Sequence, residues 1–186
     1  MKPIVLALLG TAALSVPAMA SAQSSSTINI NGEVPKKCML GAPASTELQL
    51  GTLTGADGRL DNAKTGSAVL QSTTISDAWC NTPSRLEVEA QPLVTVITGY
   101  STPAGFTRTV SYDALLEGWP TAMTVRPFAT ADSEASETSM AHASDLVLSI
   151  SRLGAVASNG TSDDNSAFLE AGQYRGSVIV TLSVKP

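Results

Sequence analysis

The chain holds few side chains of the types that carry out catalysis. Its 186 residues include one histidine, His142, and two cysteines, Cys38 and Cys80. Asp145 lies near His142, but no nucleophile elbow accompanies the pair, as a serine hydrolase would require. We therefore interpret His142 as an exposed loop residue. No catalytic residue is predicted, and the sequence indicates a protein that is not an enzyme.

Metal-binding chemistry is also weakly represented. Asp57, Asp61 and Asn62 share one loop and residues 163–165 share another. Either set could gather oxygen ligands for calcium, yet neither has the spacing of an EF-hand. Solvated turn residues are the favoured interpretation. One histidine and two distant cysteines do not form a zinc set. No metal and no cofactor is predicted.

Two further chemistries are disfavoured by position. Glu87 and Glu89 alternate with apolar residues, so both should face outward. This is the pattern of solvated carboxylates and not of the paired carboxylates of a glycosidase. Trp79 and Trp119 could stack against a sugar ring, but Trp79 adjoins Cys80. Packing in the core or at its rim is the favoured role for both tryptophans.

The N-terminus has the features of a signal peptide. Lys2 precedes an apolar run over residues 4–16, and small residues mark possible cleavage sites after Ala20 and Ala22. The apolar run is too short for a membrane-spanning anchor. We predict a signal peptide at residues 1–22 and one mature domain at residues 23–186. The protein should be exported, to the cell surface or beyond.

Export bears directly on the two cysteines. An even number of cysteines in an exported chain favours pairing, because the compartment is oxidising. Only one intramolecular pair exists, so we predict a disulfide between Cys38 and Cys80.

Charge argues against two classes of partner. The formal net charge is −5, and basic residues do not cluster beyond Lys36 and Lys37. Nucleic acid binding requires a basic stripe to neutralise phosphates. Neither nucleic acid binding nor direct insertion into a membrane is expected.

Apolar residues alternate with polar ones through much of the mature chain, which is typical of strands. Alternation predicts strands at residues 27–31 and 47–50, and a long final strand at residues 174–184. The pattern indicates a buried run at residues 93–97 and a tight turn at Asn159-Gly160. Residues 131–144 could form a short helix or an open loop, and a loop is the favoured interpretation. About eight short strands without an amphipathic helix indicate an all-β sandwich.

Several of these segments resemble parts of chaperone–usher fimbrial (pilin) subunits. The opening sequence Ile-Asn-Gly-Glu-Val at residues 30–34 leads to Cys38, and Leu-Gln-Leu-Gly-Thr-Leu follows at residues 48–53. Cys80 stands where such subunits close their disulfide. Ala-Gly-Gln-Tyr at residues 171–174 and the alternating run at residues 178–184 are similar to the family's ending. The archaic branch, with its spore coat protein U-like domain, is matched equally well.

The resemblance implies an immunoglobulin-like β-sandwich that lacks one strand and is completed by a donor strand from a neighbouring subunit. The implied donor residues are Ile28, Ile30 and Val34, within or beside a short N-terminal extension at residues 23–33. The implied wall of the acceptor groove consists of four residues of the last strand: Val178, Val180, Leu182 and Val184.

The implied function is that of a structural subunit of a fimbria or pilus that supports adhesion or biofilm formation. Its implied partners are a periplasmic chaperone, an outer-membrane usher and neighbouring pilin subunits. The alternative is a self-contained secreted β-sandwich that acts as an adhesive or ligand-binding module. In a fibre subunit, residues 27–31 pair with another copy, whereas in a self-contained domain they pair with their own sheet.

Overall fold

The computed structural model describes residues 26–96, residue 99 and residues 101–185. The predicted signal peptide lies outside these residues, as do residues 23–25 of the predicted extension. A boundary between Val34 and Pro35 divides the chain into two units. In the described residues the only helical segment is a 3₁₀ helix, Asn62–Lys64, in which the Ala63 amide donates to the Asp61 side chain.

Strands account for the rest of the regular structure in the described residues. They are β1 (Cys38–Met39), β2 (Val69–Cys80), β3 (Ser84–Val94), β4 (Phe106–Thr107), β5 (Thr109–Glu117), β6 (Met123–Val125), β7 (Asp132–Glu137), β8 (His142–Ala155), β9 (Phe168–Leu169) and β10 (Arg175–Val184). The predicted all-β, sandwich-like class is therefore confirmed.

Eight strands form two layers that share one continuous hydrogen-bonded path, β1-β2-β8-β5-β3-β10, whereas β4 and β9 pair with each other in a separate two-stranded sheet. Strand β6 extends one layer by pairing with β5, and β7 extends the other by pairing with β3. The layers join where Leu93 and Val94 of β3 pair with Val110 and Thr109 of β5. At the two ends of the path, β1 lies alongside β10, so the sheet is nearly closed.

The core lies between the layers and is built by alternation. In β3, Leu86, Val88 and Ala90 are fully buried, while Glu87 and Glu89 between them face outward. Side chains of β5 and β8 cover them from the other layer: Val110, Ala114, Leu116, Leu146, Leu148 and Ile150. Because aromatic residues are scarce, aliphatic side chains make up most of this core.

A network of charged groups fixes one loop to the sandwich. Arg126 forms ion pairs with Asp113 and Asp163, and Arg152 also pairs with Asp113. The Ser111 hydroxyl donates to Asp163 as well, at 2.6 Å. Residues 156–166 are thereby held against β5 and β8. The carboxylate at position 163 is thus occupied by partners within the protein.

Two strand predictions were wrong. Residues 27–31 and 47–50 are not strands in the structure, although both sequences alternate. Alternation indicates a strand only where a sheet edge is available for pairing. Leu48 and Leu50 nevertheless pack against the core, whereas Ile28 and Ile30 are exposed.

One loop prediction was also wrong. Residues 131–144 were predicted as a loop, yet they contain β7 and the start of β8. Strand β7 lacks large apolar residues, so its alternation was not visible. Its ladder with β3 holds it. In addition, the Arg126 amide donates to the Asp132 carboxylate and the Thr124 amide donates to the Glu134 carboxylate, each at 2.8 Å.

Candidate functional site: a groove beside the last strand

The last strand, β10, forms one edge of the sheet. It pairs with β3 alone, in antiparallel register from Ser177↔Gln91 to Val184↔Ser84. Its inward residues therefore stand beside buried β3 residues: Val178 beside Ala90, and Val180 beside Val88. Those β3 residues are fully buried, but Val178, Val180, Leu182 and Val184 are only half-buried. The inner face of β10 is therefore incompletely covered.

An open groove of about 400 Å³ lies beside this strand. Gly176, Ser177, Val178 and Val180 of β10 line one side. Leu182 and Val184 share the inward face but lie outside the lining. The four residues predicted as an acceptor wall thus lie on one face, and two of them line the groove.

The opposite wall is formed by residues 40–50, which were not predicted to line a site. Leu40, Pro43, Leu48 and Leu50 contribute apolar surface there. This segment follows the edge of β2, because the Ala44 amide donates to the Thr74 carbonyl at 2.7 Å. The alternation of Leu48 and Leu50 was the available sequence signal, since it marked a half-buried segment.

The floor of the groove belongs to the core. It is formed by side chains of β2, β5 and β8: Thr73, Ile75, Tyr112, Leu148 and Ile150. The Tyr112 hydroxyl lies 2.7 Å from the Gln91 carbonyl and 3.1 Å from the Ser177 carbonyl, so it ties β10 to β3. Burial raises the pKa of Tyr112 well above its usual range, which keeps the phenol neutral.

Close backbone approach is also required where β10 begins. The β10–β3 register shifts between Arg175 and Ser177, across Pro92 on β3. A Cβ atom at Gly176 would lie 2.8 Å from the Gln91 carbonyl oxygen and 2.9 Å from that of Pro92. Glycine is therefore the residue that fits this position without displacing β3.

The lining of the groove is apolar or neutral throughout. Its residues are Leu, Ile, Val, Pro, Gly, Ser, Thr and one Tyr, and none of them is charged at neutral pH. A groove of this composition favours an apolar occupant over an ion. Beside it runs a strand edge whose backbone groups have no strand partner in the described part of the chain, and such an edge is a template for another strand.

Residues 26–34, the described part of the first unit, have the complementary character. Ile28, Ile30 and Val34 are 83%, 92% and 81% exposed. They are spaced by even numbers of residues, so in an extended strand they would share one face. Glu33 is the only ionisable side chain in this segment. Large apolar side chains this exposed suit a segment that becomes buried in a partner.

The predicted disulfide is present and joins Cys38 to Cys80. It lies at the start of the groove-lining segment, two residues before Leu40. Asn81 fixes the chain just before it: the Lys37 amide donates to Asn81 Oδ1 at 2.7 Å, and Asn81 Nδ2 donates to the Pro35 carbonyl at 2.9 Å. A disulfide indicates a periplasmic or extracellular location.

The other candidate residues do not assemble into a site. His142 was predicted to be an exposed loop residue, but it begins β8 and packs edge-on against the buried Trp119, with ring centroids 4.6 Å apart. Trp79 is half-buried beneath Lys37. The two tryptophans thus have different neighbours and form no sugar platform.

The described residues hold no cluster of three or more histidine, cysteine or carboxylate side chains arranged to bind a metal. In the first of the two loops weighed for calcium, Asp57 and Asp61 accept the backbone amides of Arg59 and Ala63. Within the described part of the chain, no helix is long and apolar enough to span a bilayer.

Comparisons with known proteins add no identification. The chain matches no family model. No curated protein matches it either.

Proposed function

We propose that this protein is a structural subunit of a surface fibre, assembled when residues 26–34 of one copy enter the groove beside β10 of another. The observation that carries the proposal is the uncharged groove next to an edge strand, in a chain whose Ile28 and Ile30 are almost fully exposed. Addition of a strand to such an edge provides backbone hydrogen bonds, and the groove accepts alternate side chains.

Burial of apolar side chains supplies the driving force in this proposal. Moving an isoleucine or valine from water into an apolar site contributes roughly 1.5–3 kcal/mol. Three such residues, Ile28, Ile30 and Val34, would therefore contribute several kcal/mol before the cost of ordering the segment is subtracted. The half-buried side chains of β10 would gain cover in the same step.

The arrangement also defines the type of assembly. The donor segment and the groove are different surfaces of one chain, so each contact is head-to-tail. A joined pair keeps one free groove and one free donor segment for further copies. Contacts of this kind produce an open fibre unless the rotation closes a ring. The proposed partners are neighbouring subunits, with a periplasmic chaperone covering the groove beforehand and an outer-membrane usher exporting the fibre. Its proposed role at the cell surface is adhesion or biofilm formation.

The first test is an immunoblot of surface material sheared from the native host, run in SDS with and without boiling. A strand inserted into the core should resist SDS at room temperature and be released by heat. The proposal expects a ladder that collapses to one band on boiling. A single monomer band in both lanes would refute it and favour a self-contained secreted sandwich that binds a ligand or a surface.

A matched pair of variants tests the segment itself. Ile28→Asp with Ile30→Asp places two charges on the apolar face and should abolish the ladder. Asn29→Asp with Asn31→Asp adds the same charge to the opposite face and should leave the ladder intact. Equal loss in both variants would show that net charge, not apolar insertion, controls assembly.

A further inference from the structure

We propose that the end of the sandwich around Val94 and Val96, here called the far end, is the surface against which the body of the next copy packs. The opposite end, here called the disulfide end, contains Cys38, Cys80 and the C-terminus of β10. The occupant is the disulfide end of a second copy. This inference rests on the proposed function and adds a body-to-body contact to the inserted strand.

The elements on the two sides of the groove approach one another at the disulfide end. At the disulfide end, β1 pairs with β2 at Cys80 and also lies alongside β10, while the Lys185 amide donates to the Pro83 carbonyl at 2.9 Å. Toward the far end, the lining finishes at Leu93 and Gly176, where the β10–β3 ladder is irregular. A strand that remains attached to a folded body can leave only through the far end.

The connection between the donor segment and its own body is short. Four residue steps separate Val34 from Cys38, which is a reach of at most about 14 Å. Pro35 and Lys37 are bonded to Asn81 of that same body, which limits the reach further. The body that carries the inserted segment must therefore lie directly over the far end.

The far end exposes apolar surface that the fold does not use. Residues 93–97 were predicted as a buried run, but Val94 is 38% exposed and Val96 is 87% exposed, while Ile97 lies outside the described residues. Both valines border a hollow of about 700 Å³ that Ala171, Gly172, Gln173 and Arg175 also line.

The chain is anchored between the two valines. Thr95, between the two valines, is buried, and its amide donates to the Arg108 carbonyl at 3.0 Å. Gly172 lies so close to Thr95 that a Cβ atom at position 172 would overlap the threonine hydroxyl. Exposed apolar side chains on either side of an anchored residue, beside a hollow, suit a partner surface.

The disulfide end has exposed apolar side chains that could pack against the far end of another copy. Met39 is 42% exposed there, and Trp79, its partner across the β1–β2 ladder, is half-buried with the Lys37 ammonium 5.9 Å from its ring centroid. A methionine and a tryptophan face adapt well to apolar neighbours. Both lie next to Cys38, where the donor segment joins its body.

The test separates strand insertion from body packing by means of two matched variants. Val96→Lys places a charge on the far end, and Ile179→Lys places one on the outward face of β10, where Ile179 is 52% exposed and pairs with Glu89. Each variant is assayed for capture of a labelled synthetic peptide of residues 26–34, by fluorescence anisotropy, and for polymer length on unboiled SDS gels.

We expect wild type, Val96→Lys and Ile179→Lys to bind the peptide with affinities within about twofold of one another, since neither substituted residue lines the groove. The amount of polymer longer than a dimer should fall at least about fivefold for Val96→Lys, which is the size of effect expected when one interface residue is lost. The amount should remain unchanged for Ile179→Lys. Ladders of equal length for Val96→Lys and wild type would overturn the inference.

Two other outcomes are distinguishable. If wild-type protein neither captures the peptide nor polymerises, the proposed function fails and this inference fails with it. If Val96→Lys does not fold, Val96→Thr removes apolar surface without a charge and should still shorten the ladder. A full-length ladder from folded Val96→Thr would then overturn the inference.

Discussion

Reduction of the Cys38–Cys80 bond should destabilise the protein strongly and should open the groove at the same time. The bond connects the start of the groove-lining segment, residues 40–50, to the end of β2. Reduction by a phosphine leaves both side chains in place, so the packing around the buried Cys80 is disturbed less than by a substitution.

The size of the effect follows from the length of the closed loop. The two cysteines are 42 residues apart in sequence. In the chain-entropy model, a cross-link over that separation contributes about 4 kcal/mol at 25 °C by restricting the unfolded chain. Single domains are typically stable by about 5–15 kcal/mol, so this is a large share of the free energy of unfolding.

The assay is urea unfolding followed by tryptophan fluorescence, with and without reductant. With a denaturant slope of about 2 kcal/mol per molar urea, the midpoint should fall by about 2 M on reduction. The Cys38→Ala, Cys80→Ala double variant is the control, because reductant should not shift its midpoint. A reduced protein that unfolds within about 0.5 M of the oxidised protein would refute the reasoning, because the lost stability would then be below about 1 kcal/mol.

Two further predictions concern groups outside the groove. A Cβ atom at Gly154 would overlap the Asp163 carboxylate, so Gly154→Ala should lower the free energy of unfolding by about 2–4 kcal/mol. Gly66→Ala is the control, because its Cβ would meet no atom within 4 Å. This variant should leave a thermal melt nearly unchanged. Burial, together with the nearby charge of Glu170, raises the pKa of Tyr174 to about 12. The unfolded chain ionises near pH 10, so the stability contributed by this neutral phenol is complete below about pH 10 and is lost as the pH rises toward 12. Melting temperatures at about pH 9 and pH 11.5 should differ less for Tyr174→Phe than for wild type, and an equal difference would contradict this account.

Much of the fold could be predicted from the sequence because its signals are local. The alternation of Val178, Val180, Leu182 and Val184 placed them on one face of a strand, and the structure confirms this pattern. The disulfide followed from an even number of cysteines in an exported chain. Both signals depend on short-range pattern and compartment, which a single sequence records.

The parts that were wrong or missing depend on tertiary context. Whether residues 47–50 form a strand is decided by the availability of an edge, not by the alternation of Leu48 and Leu50. Strand β7 exists because β3 offers an edge to small polar residues. The opposite wall of the groove requires residues 40–50 to lie across from β10. These two segments are far apart in sequence, and no local pattern records such a contact, so this wall could not be predicted.

The position of the disulfide also determines how the protein would carry mechanical load. Tension applied to residues 26–37 reaches the body at Cys38, and the cross-link passes it directly to β2, whose ladder with β8 runs the length of the sandwich. The force therefore does not pass through residues 40–50. Without the cross-link, these residues would be pulled away from the edge of β2 one contact at a time. A pulled chain would keep its groove intact until β2 itself is sheared from β8. In the proposed fibre, the same bond that limits unfolding by heat or urea would therefore keep the inserted strand of a neighbour bound under tension.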